Sequence, residues 1–417
     1  MIGDWGKPVD GRQILRDIKE QLAGFRNSLR EKGSRVAIIH FADPGEGYPE
    51  IIRTRVRAAD VSTRAKLKTF SALGAEPIDI PKPWTTSPTE FIKTISALNE
   101  DPSVAGIIVQ HPMQEVIRRR LNQIAPEKDL DTLTIRQENP FQVPATSDAI
   151  LRVATAFTQS EAVLRTVEPY IEDNPLIAVV GAQGFVGSGV VRQLRQRGAS
   201  VLALDARALG FTPDDLRQVA EVDIVISTVG QPEILDERHL RPHHRVVIDC
   251  GFSPIGEEVY GDVKKSAYNI PQNITPVPGG IGPTEMAILA ERLVKKEVAP
   301  ELESWTLEKQ EYLTRDEVAE VQQQWAQDIY QTAKIMLDMS PNPRGLEGTY
   351  YRIALDEHTG NLSIYSKDRR GLVAEYSQNA DTVTYNNLSK EDSVAWQQIR
   401  QILNEQTVDR TQPDIEL

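Results

Sequence analysis

The first third of the chain alternates between two hydrophobic patterns. The segment 12–33 repeats apolar residues at the spacing of one helix face and ends at Gly33. The runs RVAIIHF (35–41) and SVAGIIVQ (103–110) are short, apolar and rich in β-branched residues, as buried strands are. Strands that alternate with helices predict a parallel α/β sheet.

A second series of strand patterns begins near residue 176. Its apolar runs LIAVVG, SVLALD, DIVISTV and RVVIDCG are separated by segments of helical pattern. The first run ends in the glycine-rich turn GAQGFVG (181–187), which leads into a helix. This order is typical of a doubly wound, Rossmann-like nucleotide-binding domain.

The pattern changes again near residue 301. A long polar-rich helix is predicted up to about residue 340, where SPNPRG (340–345) has the composition of a linker. The stretch TYYRIALDEHTGNLSIYS alternates around a turn and predicts a hairpin, and KEDSVAWQQIRQIL predicts a final helix. We therefore expect a small α+β module at the C-terminal end.

Composition excludes several classes of function. The 417 residues carry 47 Lys and Arg against 60 Asp and Glu, so the net charge of −13 argues against a nucleic-acid or membrane-surface binder. No apolar run has membrane-spanning length and no leader precedes the first helix, so we expect a cytoplasmic protein. Cys250 is the single cysteine and the six histidines lack ligand spacing, so we expect no disulfide and no metal site.

The glycine-rich turn predicts a dinucleotide site. Glycines at this strand–turn–helix junction let a pyrophosphate approach backbone N–H groups at the helix start. Asp205 ends the next strand run, where an acid accepts hydrogen bonds from the adenosine ribose, so NAD is preferred over NADP. Arg207 could still reach a 2′-phosphate. The predicted cofactor-binding residues are Gly181, Gln183, Gly184, Val186, Gly187, Asp205, Arg207, Thr228 and Gly230.

Short motifs then identify a family. Their order resembles that of the bifunctional 5,10-methylenetetrahydrofolate dehydrogenase/methenyltetrahydrofolate cyclohydrolase family, over about residues 8–298. The motifs are VDGRQI, GIIVQHPM, IAPEKDLD, PATS, VIDCG, GDV and TPVPGGIGP. The resemblance implies a folate-binding catalytic domain at 1–149 with helix 283–300 packed back onto it, a Rossmann-like NAD(P)-binding domain at 150–282, and, outside the family, a connecting helix at 301–340 and an accessory module at 341–417.

The resemblance also implies the site residues. Lys66 falls on the family's catalytic lysine, which lies in a helix that ends at a glycine eight residues later, here Gly74. Gln110 falls on the active-site glutamine and Asp131 on the folate-binding aspartate, and both are counted as catalytic. The substrate-binding set is Ser62, Pro278, Gly279 and Gly280. Without the family, Lys66 could equally be the edge lysine of an amphipathic helix. Arg55 is a competing alignment, rejected because its spacing to Gly74 fails.

Several positions depart from the family pattern. The family's tyrosine four residues before the lysine is Ser62, which cannot stack on the folate. Thr132 replaces the glycine after the aspartate, and Ala182 and Gln183 replace residues of the NADP-dependent members. Glu285 adds a carboxylate at the edge of the pocket.

The two reactions of the family make different demands. Hydride transfer to nicotinamide needs the two rings to be positioned, whereas hydrolysis of the resulting cation needs a lysine that accepts or relays a proton. We therefore expect a NAD-preferring dehydrogenase with weak or absent cyclohydrolase activity, acting on a tetrahydrofolate derivative as a homodimer. One alternative is a catalytically impaired regulatory protein that binds dinucleotide or folate and contacts a partner through residues 301–417. Another is an enzyme of the same fold that acts on a different pterin or a cyclic imine. For the C-terminal module itself we expect a stabilising or dimer-supporting role.

Overall fold

The computed structural model describes residues 5–134, 138–139, 141–158, 175–205, 213–342, 344–368, 370–380 and 382–409. The strands are β1 (Lys7–Pro8), β2 (Arg35–Phe41), β3 (Glu76–Lys82), β4 (Val104–Val109), β5 (Leu176–Val180), β6 (Ser200–Leu204), β7 (Ile224–Ser227), β8 (Val246–Asp249), β9 (Ser253–Ile255), β10 (Glu258–Tyr260), β11 (Asn273–Ile274), β12 (Gly345–Glu347), β13 (Tyr351–Leu355), β14 (Leu362–Ser366), β15 (Gly371–Ser377) and β16 (Thr382–Asn386). The helices are α1 (Gly11–Gln21), α2 (Arg26–Lys32), α3 (Glu50–Ala72), α4 (Pro88–Glu100), α5 (Glu115–Arg118), α6 (Ala145–Thr155), α7 (Phe185–Gln196), α8 (Pro213–Ala220), α9 (Ile281–Glu297), α10 (Arg315–Asp338) and α11 (Lys390–Asp409).

A three-stranded parallel sheet of order β3-β2-β4 forms the first α/β unit. The central strand β2 and its neighbour β4 are largely apolar and buried, as their sequence predicts. Strand β3 escaped prediction because it contains Pro77 and Pro81, which lack the N–H that a central strand needs. It lies at the edge of the sheet, where proline is tolerated.

The second unit contains a six-stranded sheet of order β1-β11-β8-β7-β5-β6, and its neighbouring strands are parallel. Strands β5 to β8 are the four apolar runs of the sequence. Strand β1 comes from the very start of the chain and pairs with β11, so the first described residues extend this second sheet. The predicted α/β fold with a parallel, doubly wound nucleotide-binding unit is confirmed.

Two helices, α6 and α9, lie between the two units. Helix α9 packs against α1, α3, α6 and β4, while α6 packs against α7 and β8. Arg152 of α6 and Glu291 of α9 form a buried pair with two hydrogen bonds of 3.0 Å. The two helices that lie between the units are therefore fixed to each other. We call the space between the two units the cleft.

The linking segment differs from the predicted helix at 301–340. Residues 301–314 are not helical, and α10 begins only at Arg315. Thr314 caps this helix with a capping box, since its hydroxyl accepts from the Glu317 N–H at 3.3 Å and the Glu317 carboxylate accepts from the Thr314 N–H at 2.7 Å. Apolar residues of the segment, among them Leu302 and Trp305, pack on the main core instead.

The C-terminal module is a five-stranded antiparallel sheet of order β12-β13-β14-β15-β16, packed with α10 and α11. The predicted hairpin is β13 and β14, and β12, β15 and β16 extend it. The ring of Trp5, near the start of the chain, meets that of Trp325 at 4.6 Å in the module's core. Among the helices of the described residues, none is both long and apolar enough to cross a membrane.

Candidate active site

The amine of Lys66 is the centre of a buried polar cluster. Helix α3 holds Lys66 with 1% of its surface exposed, and Nζ donates to Ser62 Oγ at 2.8 Å and to Glu285 Oε1 at 2.7 Å. A third acceptor, Gln110 Oε1, lies at 3.4 Å. Ser62 is one turn earlier on the same helix face, Gln110 follows β4, and Glu285 lies near the start of α9. An ammonium has three N–H donors, and here each has an acceptor.

The Lys66–Glu285 ion pair was not among the predicted site contacts. The sequence marked Glu285 only as a departure from the family pattern, and 219 residues separate it from Lys66. Its side chain is 13% exposed, so little water competes for the pair. The sequence shows a carboxylate at Glu285, but only the fold shows that it pairs with Lys66.

Asp131 is half-buried close to this pair. Its Oδ1 accepts from the Ala145 N–H at 3.3 Å. Burial and the Glu285 carboxylate raise the pKa of Asp131, the Lys66 ammonium lowers it, and the net result is a pKa of about 7. Near neutral pH this carboxyl group is therefore present in both protonation states.

Thr132 occupies the position at which the family has glycine. Its φ of 54° lies in the left-handed region, which a β-branched residue rarely adopts. The side chain is fully buried, and its hydroxyl donates to the Phe141 carbonyl at 2.9 Å while accepting from Arg292 at 3.3 Å. These bonds hold the strained residue in place.

The loop that contains Pro278, Gly279 and Gly280 is held against α1. Arg12 donates to the Pro278 carbonyl at 3.4 Å, and Gly279 has a φ of 129°, where glycine is favoured. Gly280 is the N-cap of α9. The predicted substrate loop thus leads directly into the helix that carries Glu285.

The glycine-rich turn packs tightly on the opposite side of the cleft. We call Gly181, Gly184 and Gly187 the glycine cradle. Gly181 has a φ of 82°. A β-carbon at Gly187 would lie 2.3 Å from the Gly181 carbonyl oxygen and 2.7 Å from Thr228 Oγ1, so no larger residue fits. Gly184 is the N-cap of α7 and has no side chain to cap it. The first N–H groups of α7 are therefore positioned for an anion.

A cavity of about 660 Å³ adjoins this turn at the end of β6. Gln183 and Asp205 line it, as expected for an adenosine pocket. Sequence reasoning missed Arg192 and Arg195, which α7 places in the same lining at a spacing of one turn. The remaining lining residues are Ala182, Ser188, Val191, Gln196, Ala203 and Leu204.

The other predicted cofactor residues lie around the same turn. The Thr228 hydroxyl donates to the Val180 carbonyl at 3.1 Å, and Gly230 has a φ of 66°. Val186 is partly buried and packs on the main core. Arg207 lies outside the described residues.

The two sides of the cleft approach each other through α3. Arg55, the competing candidate for the lysine position, donates from the same helix to the Val229 carbonyl at 3.4 Å. The ring of His111, next to Gln110, meets that of Phe185 at the start of α7 at 4.9 Å. Lys66 and Arg55 therefore have different partners: Lys66 contacts Gln110 and Glu285, and Arg55 contacts the nucleotide-binding unit. The tight glycine turn, the uncapped start of α7 and the cavity lined by Asp205, Arg192 and Arg195 together fit a dinucleotide.

The fold and this arrangement define a two-domain α/β protein of the dinucleotide-binding class. Comparison with protein families is more specific. Residues 9–131 match the tetrahydrofolate dehydrogenase/cyclohydrolase catalytic domain, and residues 159–299 match the NAD(P)-binding domain of the same family. The chain belongs to this family, as its motifs indicated, and the segment from 300 onward lies outside both matches.

Curated relatives and solved structures agree over the same region. The bifunctional protein FolD of Lactobacillus delbrueckii is 28% identical over 301 residues, which cover 70% of this chain and 96% of that protein. FolD of Anaeromyxobacter dehalogenans is 29% identical, with 67% and 94% covered. The fold matches a Bombyx mori 5,10-methylenetetrahydrofolate dehydrogenase with a TM-score of 0.55 and 24% identity, covering 70% of this chain and 98% of that one. It also matches the Saccharomyces cerevisiae NAD-dependent 5,10-methylenetetrahydrofolate dehydrogenase with a TM-score of 0.54 and 15% identity, covering 70% and 97%.

Proposed function

We propose that this protein oxidises 5,10-methylenetetrahydrofolate to 5,10-methenyltetrahydrofolate with NAD or NADP as the oxidant. The observation that carries the proposal is the cluster of Lys66, Gln110 and Asp131 on one side of a cleft whose other side is the glycine cradle. In a family with this chemistry, that arrangement supports the binding of a folate opposite a nicotinamide.

The chain's own residues bind and orient the reactants. The Asp131 carboxylate accepts from the donor pair formed by the pterin amino group and ring N–H. The loop 276–280 closes the pocket next to α9, while Gly181 and Gly187 let the dinucleotide approach the start of α7. A bound nicotinamide supplies the hydride acceptor. Positioning of the two rings then provides most of the acceleration.

We further propose that cyclohydrolase activity is weak or absent. Attack of water on the methenyl cation requires a group that accepts a proton. Each N–H donor of the Lys66 amine is directed at a protein oxygen, so the amine has no lone pair to offer water in this arrangement. Ser62 cannot supply the aromatic stacking that the family's tyrosine gives to the folate.

For the cofactor we propose NAD rather than NADP. The Asp205 carboxylate at the end of β6 accepts from ribose hydroxyls and repels a 2′-phosphate. Arg192 and Arg195 supply opposing positive charge in the same cavity, so NADP is the second candidate. The homodimer, the cytoplasmic location and a stabilising role for the C-terminal module stay predictions.

A direct assay tests the proposal. Purified protein is mixed with 5,10-methylenetetrahydrofolate and NAD, then NADP, and reduced nicotinamide is followed by absorbance. We expect turnover with NAD and accumulation of the methenyl product. Lys66→Ala should abolish residual cyclohydrolase while leaving part of the hydride transfer, and equal loss of both would contradict the division of roles. Dinucleotide binding without turnover would instead favour the regulatory alternative.

A further inference from the structure

The surroundings of Lys66 carry a carboxylate that the dehydrogenase reaction does not require. Glu285 Oε1 lies 2.7 Å from Lys66 Nζ, and its charge is also felt by Asp131 and by the thiol of Cys250. Glu285 therefore contacts the lysine directly and lies close enough to Asp131 and Cys250 to raise the pKa of both. Its side chain is mostly removed from solvent.

The charge near Lys66 should affect the binding of the proposed product more than the binding of the substrate. When the methylene carbon loses a hydrogen with both bonding electrons, oxidised nicotinamide is reduced and no proton is released. The folate bridge is neutral before this step and afterwards carries one positive charge, spread over two nitrogens. An ammonium beside the bridge would repel the product, and a neighbouring carboxylate would attract it.

We propose that Glu285 is the specificity-determining residue that makes this site bind the cationic methenyl folate in preference to neutral folates. The ion pair cancels the charge of Lys66, and Asp131 leaves the pocket with net negative character whenever it is ionised. The same pair directs the lysine amine away from water, so the cation is retained rather than hydrolysed. This inference rests on the proposed function, because it assumes that the folate bridge lies beside Lys66.

Equilibrium binding of two folates tests the inference without turnover. The probes are 5,10-methenyltetrahydrofolate, whose bridge is cationic, and 5-formyltetrahydrofolate, which is neutral there. Affinities for both are measured on the full chain by stopped-flow fluorescence titration near neutral pH, where Asp131 is partly ionised, within seconds of mixing and before the cation hydrolyses. We expect the wild-type protein to prefer the cation and Glu285→Gln to lose on the order of tenfold in that preference.

Three further variants separate an effect of charge from an effect on folding. Glu297→Gln makes the same change on the same helix, where Glu297 pairs with Lys32 at 3.1 Å, and should leave the preference unchanged. Lys66→Gln combined with Glu285→Gln removes both charges and should recover part of the preference lost in Glu285→Gln. Glu285→Thr provides a second removal of the carboxylate in case the glutamine variant folds poorly.

The outcomes distinguish this inference from the proposed function. If the wild type binds neither folate, the proposed function fails. If it binds both and the preference is the same in Glu285→Gln and Glu285→Thr as in the wild type, the proposed function stands and the role of Glu285 is overturned. A loss of preference in both variants, with Glu297→Gln unaffected, supports the role.

Discussion

Single side chains in the cleft are coupled through charge, and Asp131 shows the effect most clearly. Burial and the Glu285 carboxylate hold its pKa near 7, well above the usual value for an aspartate. Only the ionised form can accept both donors of a pterin edge. If Asp131 binds folate as proposed, the Glu285 carboxylate that pairs with Lys66 should therefore also influence that binding.

This coupling predicts a pH dependence of folate binding. Because the pKa of Asp131 is about 7 in the folded protein, the KM for methylenetetrahydrofolate should rise as the pH falls below 7 and level off above it. Glu285→Gln removes one cause of the raised pKa, so its transition should move to lower pH. A pH profile of KM for both proteins checks this, and coincident profiles would contradict the coupling.

The stability of the ligand-free protein should also depend on the ionisation of Asp131, but it should decrease as the pH rises. A carboxyl whose pKa is raised on folding stabilises the fold most below its unfolded value near 3.8, and that contribution is lost as the pH rises through about 7. Asp131→Asn cannot titrate. Its Tm should therefore fall less than that of the wild type between these pH values, and thermal unfolding at several pH values measures the difference.

Asp205 is the residue at which cofactor preference should change. Asp205→Ser removes the carboxylate that repels a 2′-phosphate and leaves Arg192 and Arg195 in the cavity lining. A charge-assisted bond to phosphate contributes about 1.5–3 kcal/mol, so the ratio of kcat/KM for NADP over NAD should rise at least about tenfold. Adding Arg192→Ala to this variant should reverse much of the gain. An unchanged ratio would place the adenosine elsewhere.

Among the elements, the β5–α7 turn depends most strictly on its sequence. A β-carbon at Gly187 cannot fit beside the Gly181 carbonyl oxygen without displacing the turn. Gly187→Ala should therefore lose dinucleotide binding while folate binding, across the cleft, is retained. Gly24→Ala, where nothing lies within 4 Å of the added carbon, is the matched control. Dinucleotide titration of both variants decides, and normal binding by Gly187→Ala would contradict the assigned cradle.

Elements that bury continuous apolar runs were predictable from the sequence, and those that depend on distant partners were not. Strands β2, β4 and β5 to β8 follow from composition alone, whereas the prolines of β3 conceal an edge strand. Residues 301–314 have a helix-compatible composition, yet their chain runs along the main core. There the Gln310 N–H donates to the Ala156 carbonyl at 2.8 Å, and Leu313 exchanges two hydrogen bonds with Gln272. Lys66 and Gln110 were located from family motifs, whereas the contact of Glu285 with Lys66 and the position of Arg192 in the cavity lining depend on the packing of distant segments.

At the scale of the whole molecule, the segment outside the family is built into the structure. Arg245 of the nucleotide-binding unit donates to the Tyr312 hydroxyl at 3.0 Å and lies over its ring, and Arg315 pairs with Asp223 at 2.8 Å. The start of the chain joins the module through Trp5. The module is thus tied both to the nucleotide-binding unit and to the chain's first strand, which favours a stabilising role.

Asp392 offers a way to weaken the module without touching the cleft. It is fully buried and accepts from Arg370 at 2.7 and 3.0 Å, from the Tyr351 hydroxyl at 2.6 Å and from the Ser389 N–H at 2.7 Å. Asp392→Ala would remove the fully buried ionic partner of Arg370 and leave its guanidinium only the more exposed Asp368, which costs about 3 kcal/mol. Glu357→Gln, which removes an exposed partner of Arg344, should cost less than about 1 kcal/mol.

The response of the rest of the protein to Asp392→Ala tests how tightly the module is coupled to it. If the ties through Tyr312, Arg315 and Trp5 are strong, calorimetry should show one transition at a lower Tm, and dinucleotide binding should be lost with it. If they are weak, a separate low-temperature transition should appear while the cleft still binds its ligands. We expect the single transition, because the linking segment is hydrogen-bonded to α6 and to the second sheet along its length. Two well-separated transitions would contradict this coupling and make the module an independent unit.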